Sequence, residues 1–279
     1  MEKILCPTDF TSCSRNALNY ARELAQPLQA KMLLFHSVPQ PEKEPYVPVG
    51  GVPYMEPIPD PEEKKVREMQ ISLAKEKLFA VAKECGATES ELRVGAVSST
   101  LPVAAAETEA DVIVLGHEGL QDIFPASVTS QIIRYSPCPV LIIPPHVSFQ
   151  PLRKIVFATD LRGDDFTDIG FVSQLAAAFQ GQIQFLHILT DAGDQERAKA
   201  ERGLRLICKR SFYPQVSYAL EKDNNVQEGI TRFCFQEKAD LLVMGSRNIN
   251  FWQYQFLVNK TQKVASNTFL PLLVLPYKK

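Results

Sequence analysis

No pair of cysteines in this chain has the CxxC spacing, no cluster has zinc-ligand spacing, and neither a GxSxG elbow nor a GxxxxGK[ST] loop occurs. Those gaps exclude the commonest redox, zinc, hydrolase and P-loop readings. The six cysteines (Cys6, Cys13, Cys85, Cys138, Cys208, Cys234) lie mostly in apolar or helical segments, so they read as reduced core thiols of a cytosolic protein. Lys and Arg form no dense block and the pI is near 6.1, so nucleic acid is not an expected partner. No apolar run reaches membrane-spanning length, and the N-terminus enters a strand pattern without a charged-then-apolar leader. The expectation is a cytoplasmic protein with no membrane contact.

What is present is a doubling. KILCPTDF from Lys3 returns as KIVFATDL from Lys154, and the second strand ending near His36 returns near His187, both 151 residues on. DVIVLG (Asp111–Gly116) is echoed by DLLVMG (Asp240–Gly245), and CPVLIIP (Cys138–Pro144) by LPLLVLP (Leu270–Pro276). A repeat this long is a domain, and 279 residues suit two of them. The boundaries read as 1–147 and 152–279, with a linker at Val147–Leu152. Residues 1–148 carry 13 basic and 19 acidic side chains, net −6, and the remainder 17 and 13, net +4. Opposite signs favour the halves lying together, though screening weakens the effect.

Each half alternates strand-like and helix-like segments. In the first, strands read at Lys3–Pro7, Lys31–Val38, Leu92–Val97, Val112–Leu115 and Val140–Ile143. Helices read from Thr11, over Val66–Cys85, over Leu101–Ala110 and over Val128–Tyr135. The second half repeats the order, with strands near Ile155–Ala158, Gln182–Ile188, Val216–Leu220, Leu241–Met244 and Leu272–Leu275. Continuous Val/Ile/Leu runs between helices imply a parallel sheet covered on both faces. The fold class is therefore α/β, as two tandem doubly wound domains of five parallel strands each. Pro39–Glu63 is inserted only in the first half and holds eight prolines, which predicts a long extended loop: a plain excursion, a lid, or a partner-binding arm.

In such a sheet, ligands bind beyond the carboxyl ends of the strands where strand order reverses. That rule delivers Pro7, Thr8 and Asp9 after strand one, His36, Ser37 and Val38 after strand two, and Gly116–Gly119 after strand four. An ionised Asp suits a ribose diol, and a glycine loop before a helix suits phosphate. Ser127 and Thr129 fit phosphate contact and plain N-capping equally, and Asp9 and Asp160 fit a chain turn as well as a ligand. His36 and His187 fit structural roles better than ligand roles. His117 beside Glu118 invites an acid–base reading, but nothing nearby supplies a nucleophile.

The PTDF strand end, the His-ended second strand, DVIVLG with its glycine loop, and PCPVLIIP together resemble the universal stress protein family, in its tandem form. The resemblance covers almost the whole chain in two copies. It implies an adenine nucleotide alpha-hydrolase-like fold and domains paired through their C-terminal strands. Nucleotide-binding members carry G-x2-G-x9-G-[ST] after strand four. Carried over, the motif implies Pro7, Thr8, Asp9, Ser37 (by its backbone), Gly116, Gly119, Ser127, Val128 and Thr129 as the contacts for ATP or another adenine nucleotide, with Mg. Six residues separate Gly119 from Ala126 where the family has nine, and Ala126 stands at the third glycine. The second half keeps Asp160 and Gly245 but has Asn248, Val258 and Asn259 at the remaining motif positions, which implies no nucleotide there.

Two readings follow. One is a stress-response regulator holding an adenine nucleotide in the first half only. The other is a scaffold with degenerate sites in both halves, acting through surfaces such as the aromatic Phe251–Phe256 loop. No catalytic set is evident; weak ATPase activity is the enzymatic alternative left open, and a homodimer the larger assembly.

Overall fold

The protein's computed structural model describes residues 1–40, 61–117, 127–145, 147–161, 169–190, 193–246 and 270–276. The first half comprises β1 (Lys3–Pro7), α1 (Ser12–Leu28), β2 (Lys31–Val38), α2 (Pro61–Cys85), β3 (Glu89–Val94), α3 (Val97–Glu107), β4 (Val112–Gly116), α4 (Val128–Tyr135) and β5 (Val140–Ile143). The second comprises β6 (Lys154–Ala158), α5 (Ile169–Ala178), β7 (Gln182–Leu189), α6 (Asp194–Arg210), β8 (Val216–Lys222), α7 (Val226–Gln236), β9 (Leu241–Gly245) and β10 (Leu272–Leu275).

The ten strands of the described residues form one sheet in the order β3-β2-β1-β4-β5-β10-β9-β6-β7-β8. Within each half every pairing is parallel; only β5 and β10 run antiparallel, with Val140, Leu141 and Ile142 opposite Val274, Leu273 and Leu272. This is the pairing of C-terminal strands that the resemblance implied. Its cause is elementary: two apolar strand edges with unpaired backbone groups satisfy each other.

The period of two along each strand divides the interior into two layers. Ile4, Leu34, Val114, Ile143, Phe157 and Leu273 face one way, beneath α1, α2, α5 and α6. Leu5, Phe35, Ile113, Ile142, Val156 and Val274 face the other, beneath α3, α4 and α7. Each such side chain, fully buried, contributes about 1.5–3 kcal/mol, and both layers run unbroken through both halves. The aspartates preceding β4 and β9 serve the same purpose in each copy. Asp111 Oδ2 accepts from the amides of Glu2 and Lys3 at 2.5 and 3.0 Å, and Asp240 Oδ2 from those of Arg153 and Lys154 at 2.9 and 2.8 Å.

Helix α1 starts where Thr11, in an extended conformation, accepts from the amide of Ser14, and stops where Gln29 turns left-handed. Its buried face is Ala17, Leu18, Ala21 and Leu24. The segment between the halves is anchored. Leu152 is fully buried, and the Phe149 ring lies 5.0 Å from that of Tyr20 and 5.7 Å from that of Phe179. Asn16 Nδ2 donates to the carbonyls of Pro144 and Val147 at 3.3 and 3.1 Å.

Three boundaries differ from expectation. The third strand is Glu89–Val94, because Gly95 at φ +140° breaks the ladder and gives its N–H to Val38 O. Helix α3 accordingly starts at Val97 instead of Leu101, and the left-handed Glu109 lies just beyond its end. The Pro39–Glu63 loop gives way to α2 at Pro61, where proline's fixed φ and missing N–H fit the first helical position and Glu62 and Glu63 meet the positive end of the helix dipole. The rest of that loop, 41–60, lies outside the described residues, as does the Phe251–Phe256 loop.

Candidate functional site

Strand order reverses between β1 and β4 in the first half, and between β6 and β9 in the second. Register then decides which residues share the crevice. Ile4 pairs with Val112 and Leu5 with Ile113, so continuing the ladder brings Thr8 level with Gly116. Pro7 pairs with Phe35, which brings Asp9 level with Ser37. The sheet therefore assembles Pro7, Thr8, Asp9, Ser37 and Gly116 at one strand end. Ser127, Val128 and Thr129 form the start of α4. Gly119 lies outside the described residues, with the rest of 118–126.

The turn after β1 is held from several sides. Thr8 is buried; its amide donates to Phe35 O at 2.8 Å, its Oγ1 accepts from the Phe10 amide at 3.0 Å, and it lies 3.1 Å from Ser14 Oγ. His36 Nδ1 lies 2.7 Å from Thr8 O. A carbonyl only accepts, so Nδ1 carries the hydrogen. Phe10 takes φ +67°, unusual for a bulky residue, and its ring sits 4.5 Å from the His36 ring. The second copy reproduces this: Thr159 N to Leu186 O at 2.9 Å, Leu161 N to Thr159 Oγ1 at 3.0 Å, His187 Nδ1 to Thr159 O at 2.8 Å, and Leu161 at φ +60°. Both histidines thus have a structural partner.

Asp9 is exposed at the mouth of the crevice. Its Oδ1 accepts from Thr11 N at 3.0 Å and Thr11 Oγ1 at 2.6 Å, a turn contact that also orients the α1 cap. Partial burial is the largest single influence on its acidity and pushes its pKa up. Hydrogen bonds from Thr11 and Ser14 together outweigh it, so the carboxyl titrates below the ordinary aspartate value.

Other expected contacts have internal roles. Ser37 Oγ donates to Gly95 O at 2.7 Å and lies 3.1 Å from Thr100 Oγ1, so its side chain is engaged within the first half. Ser127 caps α4, accepting from the Ser130 amide at 3.2 Å and donating to Ser130 Oγ at 2.9 Å. Val128 is exposed. At Gly116, a Cβ would fall 2.7 Å from Cys13 O and 3.2 Å from Ser14 Cα, so the first turn of α1 itself requires glycine there. His117 is turned inward, 2% exposed, which removes it from an acid–base pair at the surface.

Sequence reasoning missed the left-handed residue after the aspartate and, although it expected structural roles for His36 and His187, did not name the threonine carbonyl that each one holds. The signal was in the repeat, since Thr8 to His36 and Thr159 to His187 span the same 28 residues. Among the described residues no group of three His, Cys, Asp or Glu side chains could hold a metal, and no helix is long and apolar enough to cross a membrane.

The family model of the universal stress protein family matches this chain twice, over residues 1–144 and 151–276. Among solved structures, a universal stress protein from Archaeoglobus fulgidus DSM 4304 is similar at 14% identity and a TM-score of 0.68, over 99% of this chain and 97% of that one. A putative universal stress protein from Pseudomonas aeruginosa UCBPP-PA14 is similar at 14% identity and a TM-score of 0.57, over 99% of this chain and 93% of that one. Comparison with curated proteins finds no match.

Proposed function

Because the chain belongs to the universal stress protein family, present here as two copies, we propose that it is a stress-response regulator that binds an adenine nucleotide in its first half only. The observation that carries this reading is Asp9: an exposed carboxylate, kept ionised by its hydrogen bonds, at the end of β1 where strand order reverses. Oδ1 is fixed by Thr11, and the carboxylate so oriented accepts from ribose hydroxyls. The Ser37 backbone lies level with it for the base, and the start of α4 at Ser127–Thr129 offers amide donors to phosphate. Mg would arrive on the phosphates, since no acidic cluster among the described residues is arranged for it. The domain units are 1–147 and 152–279, and the second carries no nucleotide.

One observation favours the rival scaffold reading. The open space expected at Gly116 is taken up by the backbone of Cys13 and Ser14, so that glycine is accounted for without a phosphate. The test is to heat-denature purified protein, identify any released ligand by absorbance and mass, and titrate the protein with ATP and Mg by calorimetry. The regulator reading expects one site per chain, weakened at least tenfold in Asp9→Ala through loss of a charge-assisted hydrogen bond. No heat signal at millimolar ATP would overturn it in favour of the scaffold.

A further inference from the structure

Helix α2 is longer than the sheet requires, and the second copy measures the excess. Its buried residues are Leu78, Ala82 and Cys85; those of α6 are Ala200, Leu204 and Ile207, with the same intervals of four and three. Superposing the two patterns aligns the first residue of α6, Asp194, with Ser72. Pro61–Ile71, three turns or about 16 Å, therefore has no counterpart in α6.

The extension is not a polar spacer. Val66 is 56%, Met69 74% and Leu73 51% exposed. At 100° per residue these three lie within a narrow sector on the side of α2 opposite Leu78. The stripe continues at helical spacing to Glu62 at one end and Lys77 at the other. Solvent-facing apolar side chains aligned along a protruding helix mark a contact surface.

We infer that this stripe is a homodimer contact, in which α2 lies antiparallel on α2 of a second copy. The pattern is self-complementary in that orientation alone. Reading Glu62, Val66, Met69, Leu73, Lys77 against its own reverse sets Glu62 opposite Lys77 of the partner subunit. It also sets Val66 opposite Leu73 of the partner subunit, with Met69 at the two-fold axis. A parallel arrangement sets like charges together at both ends. An isologous contact of this kind closes at two subunits, and the terminal charge pairs fix its direction more than its strength.

Sedimentation velocity of the full chain over a concentration series tests this. A concentration-dependent dimer is expected, which Met69→Glu with Leu73→Glu abolishes while the circular dichroism spectrum, and thermal unfolding at concentrations where the wild type is monomeric, stay unchanged, both positions being exposed. Glu62→Lys or Lys77→Glu alone weakens association about tenfold, and the two together restore it. Met69→Cys cross-links two chains on mild oxidation, whereas Leu206→Cys, exposed on α6, does not. The inference is overturned by a wild-type monomer across the series, by a dimer indifferent to the Met69/Leu73 pair, or by equal cross-linking at both cysteine positions.

Discussion

The imidazole of His36 donates from Nδ1 to the carbonyl of Thr8 at 2.7 Å, reaching back across 28 residues to the turn that presents Asp9. His187 does the same for Thr159 at 2.8 Å, although the second half has lost most of the phosphate-loop motif. The clamp therefore belongs to the fold and does not depend on the phosphate-loop motif.

His36→Leu leaves the Thr8 carbonyl without its donor and is expected to cost about 1–3 kcal/mol. His187→Leu should cost slightly less, by about 0.5–1 kcal/mol, because Leu161 replaces the aromatic partner that Phe10 gives His36. Urea unfolding midpoints of the two variants, with His36→Asn as a partial rescue of the donor, check both the size and the order.

Asp9 has a folded pKa below its ordinary value. Its contribution to stability is thus fully present above the ordinary aspartate pKa and is lost as pH falls through the folded one. In Asp9→Asn the melting temperature should therefore depend less on pH across the acidic range than in the wild type. Thermal scans between about pH 2 and pH 6 measure the difference; parallel profiles would mean that the Thr11 and Ser14 bonds do not hold the carboxylate.

The two strand-end glycines make a paired experiment. Gly116→Ala drives a Cβ to 2.7 Å from the Cys13 carbonyl, and shifting the first turn of α1 should cost about 1–3 kcal/mol. Gly245→Ala meets nothing within 4 Å among the described residues and should stay within about 0.5 kcal/mol of wild type. Equal effects in denaturant titrations would contradict this account of Gly116.

Phe149 lies between Tyr20 and Phe179, one from each half. Phe149→Ala should cost about 2 kcal/mol, the side chain being only partly buried, with Phe149→Leu recovering at least half. Differential scanning calorimetry reads the effect as a lowered melting temperature, and no change would make the linker a passive tether.

The strands were legible because their Val/Ile/Leu runs must be buried on both faces, and the repeat, held at 151 residues over the first two strands, allowed one half to check the other. Boundaries were lost where local signals conflicted. Leu92–Val97 continues to read as strand across Gly95, whose positive φ ends it, and Ala96 starts α3 without a capping side chain. Pro61-Glu62-Glu63 carries a helix-start signature that the surrounding prolines concealed. At the crevice, Asp9 could be placed by topology. Its bonds to Thr11, the inverted backbone of Phe10 and the crowding at Gly116 depend on three-dimensional approach, which spacing alone does not encode.

The antiparallel join of β5 to β10 reverses the direction of every strand from one half to the other. The Asp9 crevice and the Asp160 crevice therefore open at opposite rims of the ten-stranded sheet. A molecule seated in one leaves the other unobstructed, and what joins them is the Leu141 and Leu273 seam together with the two core layers that continue across it. Duplication has thus turned the carboxyl ends of the two sets of parallel strands toward opposite sides of one sheet.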